Sequence, residues 1–279
     1  MRAPLPPLLV AVALVVIALA TAQPLIVGAA FVGALLLHHA APPPHRLMLR
    51  IALISALFIL VLNPFVAVEG DHVLFAGPHF LLFDFEVTSE ELLYGLVAGL
   101  RLATAILATA AFLRLADPDR TQALASRIVP RSALTVALAA RLAPTLRRDA
   151  LGLREALRLR GSGPERGRRA AIRQGAVLIE PLVASSLERG VDISEAMVAR
   201  GYGAGTLTRL PEPAYTRGER IGLLVGIIGC VVGIALIVGA APYAIYPLAG
   251  PILSPIGVVL AGMVLLVSLL GARALRWPA

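Results

Sequence analysis

The chain has 279 residues, 58% of them apolar and 15% charged, with a mean hydropathy of +0.84; a soluble domain carries about 45–50% apolar residues, so a water-soluble fold is excluded. The net charge is +8, and all 25 basic residues are arginine. Without lysine there is no P-loop, whose GxxxxGK[ST] pattern needs one at the phosphates, and no Schiff-base or Ser-Lys chemistry, so any nucleotide hydrolysis must come from another chain.

A membrane-crossing helix needs about 20 mostly apolar residues. The N-terminal run 5–37 is apolar throughout but interrupted at Gln23-Pro24. Proline ends or kinks a helix, so the run reads as two short segments, 5–22 and 24–37. Met1-Arg2 before an apolar run also fits a signal peptide, but no small-residue cleavage site leads into a polar start. Clear spans follow at 51–68, 92–113, 221–241 and 252–272. The fold class expected is therefore all-α and polytopic, with about six transmembrane helices.

The charges orient these spans. Segment 114–220 holds 19 of the 25 arginines, whereas the loop 69–91 holds Glu69, Asp71, Asp84, Glu86, Glu90 and Glu91 and no arginine. Arginine-rich loops stay on the cytoplasmic side, which explains the positive balance without nucleic acid. With 114–220 inside, loop 69–91 and turn 242–251 lie outside and both termini lie inside. The expected organisation is N-terminal membrane helices at 1–113, a cytoplasmic region at 114–220 and a C-terminal membrane hairpin at 221–279. The expected location is the cell membrane of a bacterium or archaeon, in contact with the lipid bilayer. Lone Cys230 permits no disulfide framework.

An insertion of this length is too long for a connecting loop. Segment 132–160 has helical periodicity, with Leu146, Ala150, Leu153 and Leu157 on one stripe and Arg147, Arg154 and Arg158 on another. Ser132 suits its N-cap, Pro144 should kink it and Gly161 should stop it. Segment 181–200 repeats the design. Pro181 suits its first turn. Leu187, Val191 and Val198 share a face, Glu188, Asp192 and Glu195 form an acidic row, and Gly201 is the stop. The two ends match at a spacing of 40 residues: Glu155-Ala156-Leu157-Arg158-Leu159-Arg160-Gly161 against Glu195-Ala196-Met197-Val198-Ala199-Arg200-Gly201. In each, a cation at the helix C-terminus complements the dipole and a glycine leaves it projecting. One such end is ordinary capping; two on long amphipathic helices suggest paired docking tips.

These residues resemble the T component of energy-coupling factor transporters, the EcfT/CbiQ family. Glu195 to Tyr202 (EAMVARGY) is similar to its most characteristic stretch. Asn63-Pro64-Phe65, Tyr94-Gly95-Leu96, Arg101-Leu102, Asp117-Pro118, Arg141-Leu142-Ala143-Pro144, Pro181-Leu182 and Leu187-Glu188-Arg189 match in order, over residues 50–205. The family's tips read Ala-Arg-Gly. The second is intact at Ala199-Arg200-Gly201, the first reads Leu159-Arg160-Gly161, and Gly190 stands where alanine is usual. The resemblance implies a non-enzymatic subunit without cofactor. Its two cytoplasmic coupling helices would dock by their tips on two P-loop ATPase subunits and drive a small membrane S component that captures a vitamin or metal ion.

Other residues have plainer readings. Arg101 is the sole charge within the clear spans; a structural arginine capping carbonyls is favoured over an intramembrane functional site. His38, His39 and His45 lack a nearby carboxylate, and adjacent histidines point apart on a helix. His72 and His79 stand in the acidic outer loop, where contact with a passing ion is the sharper reading. Gly201-Tyr202-Gly203-Ala204-Gly205 follows a helix rather than a strand, so it reads as a helix stop, not a phosphate loop. The competing functions are a conventional ABC importer permease, whose single E-A-A-x-x-x-G loop fits Glu195 to Gly201 loosely, and a membrane-embedded enzyme or secondary carrier. The last class normally needs titratable groups within the spans.

Overall fold

Alternating apolar runs and capping signals resolve into nine helices and one short ribbon among the described residues. A computed structural model describes residues 3–41, 46–66, 72–76, 86–160, 168–205, 214–239, 243, 250–251 and 253–275. The elements run α1 (Leu5–Ala20), α2 (Pro24–Ala40), α3 (Arg46–Val66), β1 (Val73–Ala76), β2 (Glu86–Thr88), α4 (Ser89–Leu115), α5 (Pro118–Ile128), α6 (Pro130–Leu159), α7 (Arg168–Ala199), α8 (Arg217–Ile237) and α9 (Pro255–Ala274). They form two units, residues 1–121 with 214–279, and residues 122–213.

In the first unit α3, α4, α8 and α9 are long and apolar enough to cross a membrane, making this a multi-pass membrane protein. Six spans were expected. α1 and α2, at 16 and 17 residues, are apolar but shorter than the length that spans a bilayer unaided. The turn Thr21–Gln23 and Pro24 cut the apolar run, as the proline rule anticipates. α1 packs on α8, α4 and α2 and leaves Val12 and Leu19 exposed on its other side. Val10, Ala11, Ala13, Leu14, Ile17 and Ala18 are all buried, a broad stripe at helical spacing that forms its packed face. By contrast α3 leaves Leu53, Ile54, Leu57, Phe58 and Val61 exposed, a face suited to lipid.

Small residues set the helix spacings. Gly222, Gly226, Gly229 and Gly233 line the side of α8 that meets α1, and a Cβ on Gly226 would stand 2.6 Å from that of Leu9. Gly95 and Gly99 do the same for α4 against α3, where a Cβ on Gly99 would stand 2.7 Å from the Ala56 carbonyl oxygen. Backbones approach this closely in membranes because no hydrophobic force draws helices together there and van der Waals contact must serve.

Local sequence sets the helix starts. Thr88 and Glu91 form a capping box at α4, Thr216 and Glu219 another at α8, and Ser254 caps α9 ahead of Pro255. Glu90 and Glu91, read from sequence as loop residues, are instead buried in the first turn of α4. There carboxylates complement the helix dipole. His72 Nδ1 meets Glu90 Oε1 at 2.9 Å. β1 and β2 pair antiparallel, Val73 opposite Thr88 and Ala76 opposite Glu86. This ribbon was not anticipated, since three- and four-residue strands leave too little alternation to recognise. His45, His79, Glu69, Asp71 and Asp84 lie outside the described residues.

Candidate functional site

The second unit holds α6 and α7. Both are longer than expected, and two boundary expectations are corrected. α6 begins at Pro130 with Val129 at its N-cap, not Ser132, because proline at the first position needs no N–H partner. Pro181 lies inside α7 rather than in its first turn. Pro144 likewise sits within a continuous α6.

The expected stripe on α6 is present: Leu146, Ala150, Leu153 and Leu157 are half-buried. On α7 the inward stripe is instead Leu182, Ser185, Ser186, Arg189, Ile193 and Met197. Leu187, Val191 and Val198 point outward, 67%, 55% and 72% exposed. The pure hydrophobicity pattern chose the wrong side because the contact side carries two serines and an arginine. Half-burial recurs at positions 142, 145, 146, 149, 153 and 157 of α6 and at 182, 185, 186, 189, 193 and 197 of α7. The 40-residue spacing of the tips is therefore also the spacing of the packing faces.

Each helix ends in an exposed arginine. α7 ends at Ala199, and the amides of Gly201 and Tyr202 donate to the carbonyls of Val198 and Met197, both at 2.9 Å. That is a Schellman motif, which requires the residue after the cap to be left-handed. Gly201 supplies it with φ 78°. α6 ends at Leu159, with the Arg160 amide donating to the carbonyls of Ala156 and Arg158. Leu159 is 90% exposed, and Arg160, Ala199 and Arg200 are exposed, as are Glu155 and Glu195. Gly161 lies outside the described residues. Backbone hydrogen bonding thus holds each cap while its arginine stays exposed.

Sequence reasoning missed an ion pair between these helices, Arg189 Nη1 to Asp149 Oδ2 at 2.7 Å. The two contacting atoms are shielded from water, while the side chains as wholes are about a third exposed. Its signal was in the repeat, since Asp149 and Arg189 are 40 residues apart.

In the first unit, Arg101 Nε donates to the Ala18 carbonyl at 3.0 Å and Nη2 to that of Thr21 at 2.7 Å. These carbonyls close α1, so the side chain caps a helix end with a cation. This is the plainer of its two readings. His38 is buried and His39 exposed, as adjacent helical positions require. No group of three or more potential metal-ligating side chains converges among the described residues.

Comparison with known families adds one match. The family model CbiQ, described as cobalt transport protein, matches residues 4–210. That covers α1 through α7 and both arginine tips. No curated protein matches the chain.

Proposed function

From the premise that this chain belongs to the CbiQ family of cobalt transport proteins, we propose that it is the membrane coupling subunit, or T component, of an energy-coupling factor importer. Arg160 and Arg200 dock on two cytoplasmic P-loop ATPase subunits. ATP-driven closure of those subunits draws the tips together, and α6 and α7 pass the motion to an S component that captures a vitamin or metal ion. Unit 122–213 faces the cytoplasm, following the arginine bias, and the membrane is the cell membrane. Catalysis of ATP hydrolysis stays with the partners, because a chain without lysine holds no P-loop.

The observation that carries this reading is the pair of exposed arginines closing two helices of matching design. Exposed cations on rigid helix ends are poised for charge-assisted hydrogen bonds, which are stronger than neutral ones. The outward row Val183, Leu187, Val191 and Val198 of α7, each at least half exposed, supplies apolar surface for a membrane partner.

Purification of the chain from native membranes in mild detergent, with mass spectrometry, tests the assembly. One or two P-loop ATPases and a small polytopic protein should accompany it; the chain alone across several gentle detergents refutes the proposal. Arg200→Ala should insert normally yet weaken ATPase binding. Truncating one partner of a buried charge pair costs about 2–5 kcal/mol, or about 1.5–3.5 decades of affinity.

A further inference from the structure

The contact between α6 and α7 is short for helices of 30 and 32 residues, so they cross rather than run side by side. The half-buried positions of the two agree at a constant offset of 40, with Ala150 against exposed Gly190 the one difference over 141–160 and 181–200. Two helices presenting equivalent faces to each other are related by an approximate two-fold axis. Under such symmetry a residue faces its own equivalent only on the axis, since elsewhere residue i meets j and j meets i. Asp149 and Arg189 are equivalents at that offset, and they touch. The axis therefore passes through the ion pair.

We propose that Asp149 and Arg189 form the pivot of the two helices, a charge clasp on the pseudo-two-fold axis that holds the tips at equal reach. Asp149 precedes Arg160 by eleven residues and Arg189 precedes Arg200 by eleven, so each tip stands about 16 Å beyond the pivot along its helix. Strict symmetry would place two like side chains on the axis. Divergence of the two copies to opposite charges replaces repulsion with attraction while leaving the paired faces intact. An ion pair also suits a pivot, because its attraction varies gradually with angle, whereas interlocked apolar packing resists sliding. Both residues are positioning residues; neither touches a transported molecule.

The geometric claim stands apart from the transport reading, while the effect on transport rests on it. The test uses the full chain in lipid nanodiscs with Cys230→Ser and spin labels at Arg154→Cys and Ser194→Cys, exposed equivalents between pivot and tips. The parent should give one narrow distance distribution. Asp149→Arg alone and Arg189→Asp alone should each lose it, and the double exchange should restore it. If either single variant does not fold, Asp149→Asn, nearly isosteric and uncharged, must broaden the distribution. Retention of the narrow distribution in the folded single variants or in Asp149→Asn, or a folded double exchange that fails to restore it, overturns the clasp. In the complete transporter the single variants should keep their ATPases and lose transport per ATP hydrolysed, and the exchange should recover it; normal transport in the single variants overturns the role as pivot. If the parent recovers no ATPase, the coupling reading fails and the spin-label result still decides the clasp.

Discussion

Gly201→Ala probes the docking tip without touching its charge. A Cβ at this glycine would meet nothing within 4 Å, so sterics with neighbours are no objection. The obstacle is the backbone, because φ is 78° and an L-residue there costs about 1–2 kcal/mol. The chain can bear that strain or relax it. Relaxing it releases the amides of Gly201 and Tyr202 from Val198 and Met197 and re-aims Arg200. Strain borne alike by the free and docked chain cancels from the affinity, whereas a chain that relaxes must rebuild the turn to dock, at up to about 1–2 kcal/mol, or about 5–30-fold weaker ATPase binding; relaxation is the expected course, because the tip is exposed. Gly201→Asn should lose less, since asparagine tolerates the left-handed region better than other side-chain-bearing residues. Two assays read this: hydrogen exchange at the Gly201 and Tyr202 amides of the chain alone, and ATPase affinity by titration. Unchanged protection and unchanged affinity in the alanine variant would show that the Schellman turn does not aim the arginine.

Other substitutions separate packing from propensity. Gly99→Ala and Gly190→Ala are the same change with opposite expected signs in detergent unfolding. At Gly99 the new Cβ meets the Ala56 backbone at 2.7 Å, so overpacking toward the upper end of about 1–3 kcal/mol outweighs a helix-propensity gain of about 1 kcal/mol. At Gly190 the space is open and the full gain of about 1 kcal/mol should appear; equal signs would contradict the close approach of α3 and α4. Arg101→Met removes two bonds to the carbonyls of Ala18 and Thr21. Bonds to a charged group are worth about 1.5–3 kcal/mol each, so the unfolding midpoint should fall while ATPase recovery persists. Lost transport at unchanged stability would instead favour an intramembrane functional role.

The tip residues and the break in the N-terminal run were legible because each is decided locally. Pro24 lacks the N–H that continuing helix would need, and Gly201 accepts a backbone that other residues resist. The inward face of α7 was not legible. Hydrophobicity alone selects Leu187, Val191 and Val198, and they point outward; the side that packs instead carries Ser185, Ser186 and Arg189, and Arg189 finds its partner in Asp149 on the other helix, which no pattern along α7 itself reveals. The contact of Glu90 with His72 was hidden for a different reason, since the two stand eighteen residues apart in the chain.

By itself the sequence determined the class of the protein, its apolar helices, the arginine-rich insertion and the two matched ends, because these follow from composition, local caps and a repeat readable along one strand of text. Only the tertiary structure decided that Arg101 closes α1 and that Asp149 meets Arg189. Those are contacts between residues 40 to 83 positions apart, and their energy exists only once helix faces have been brought together.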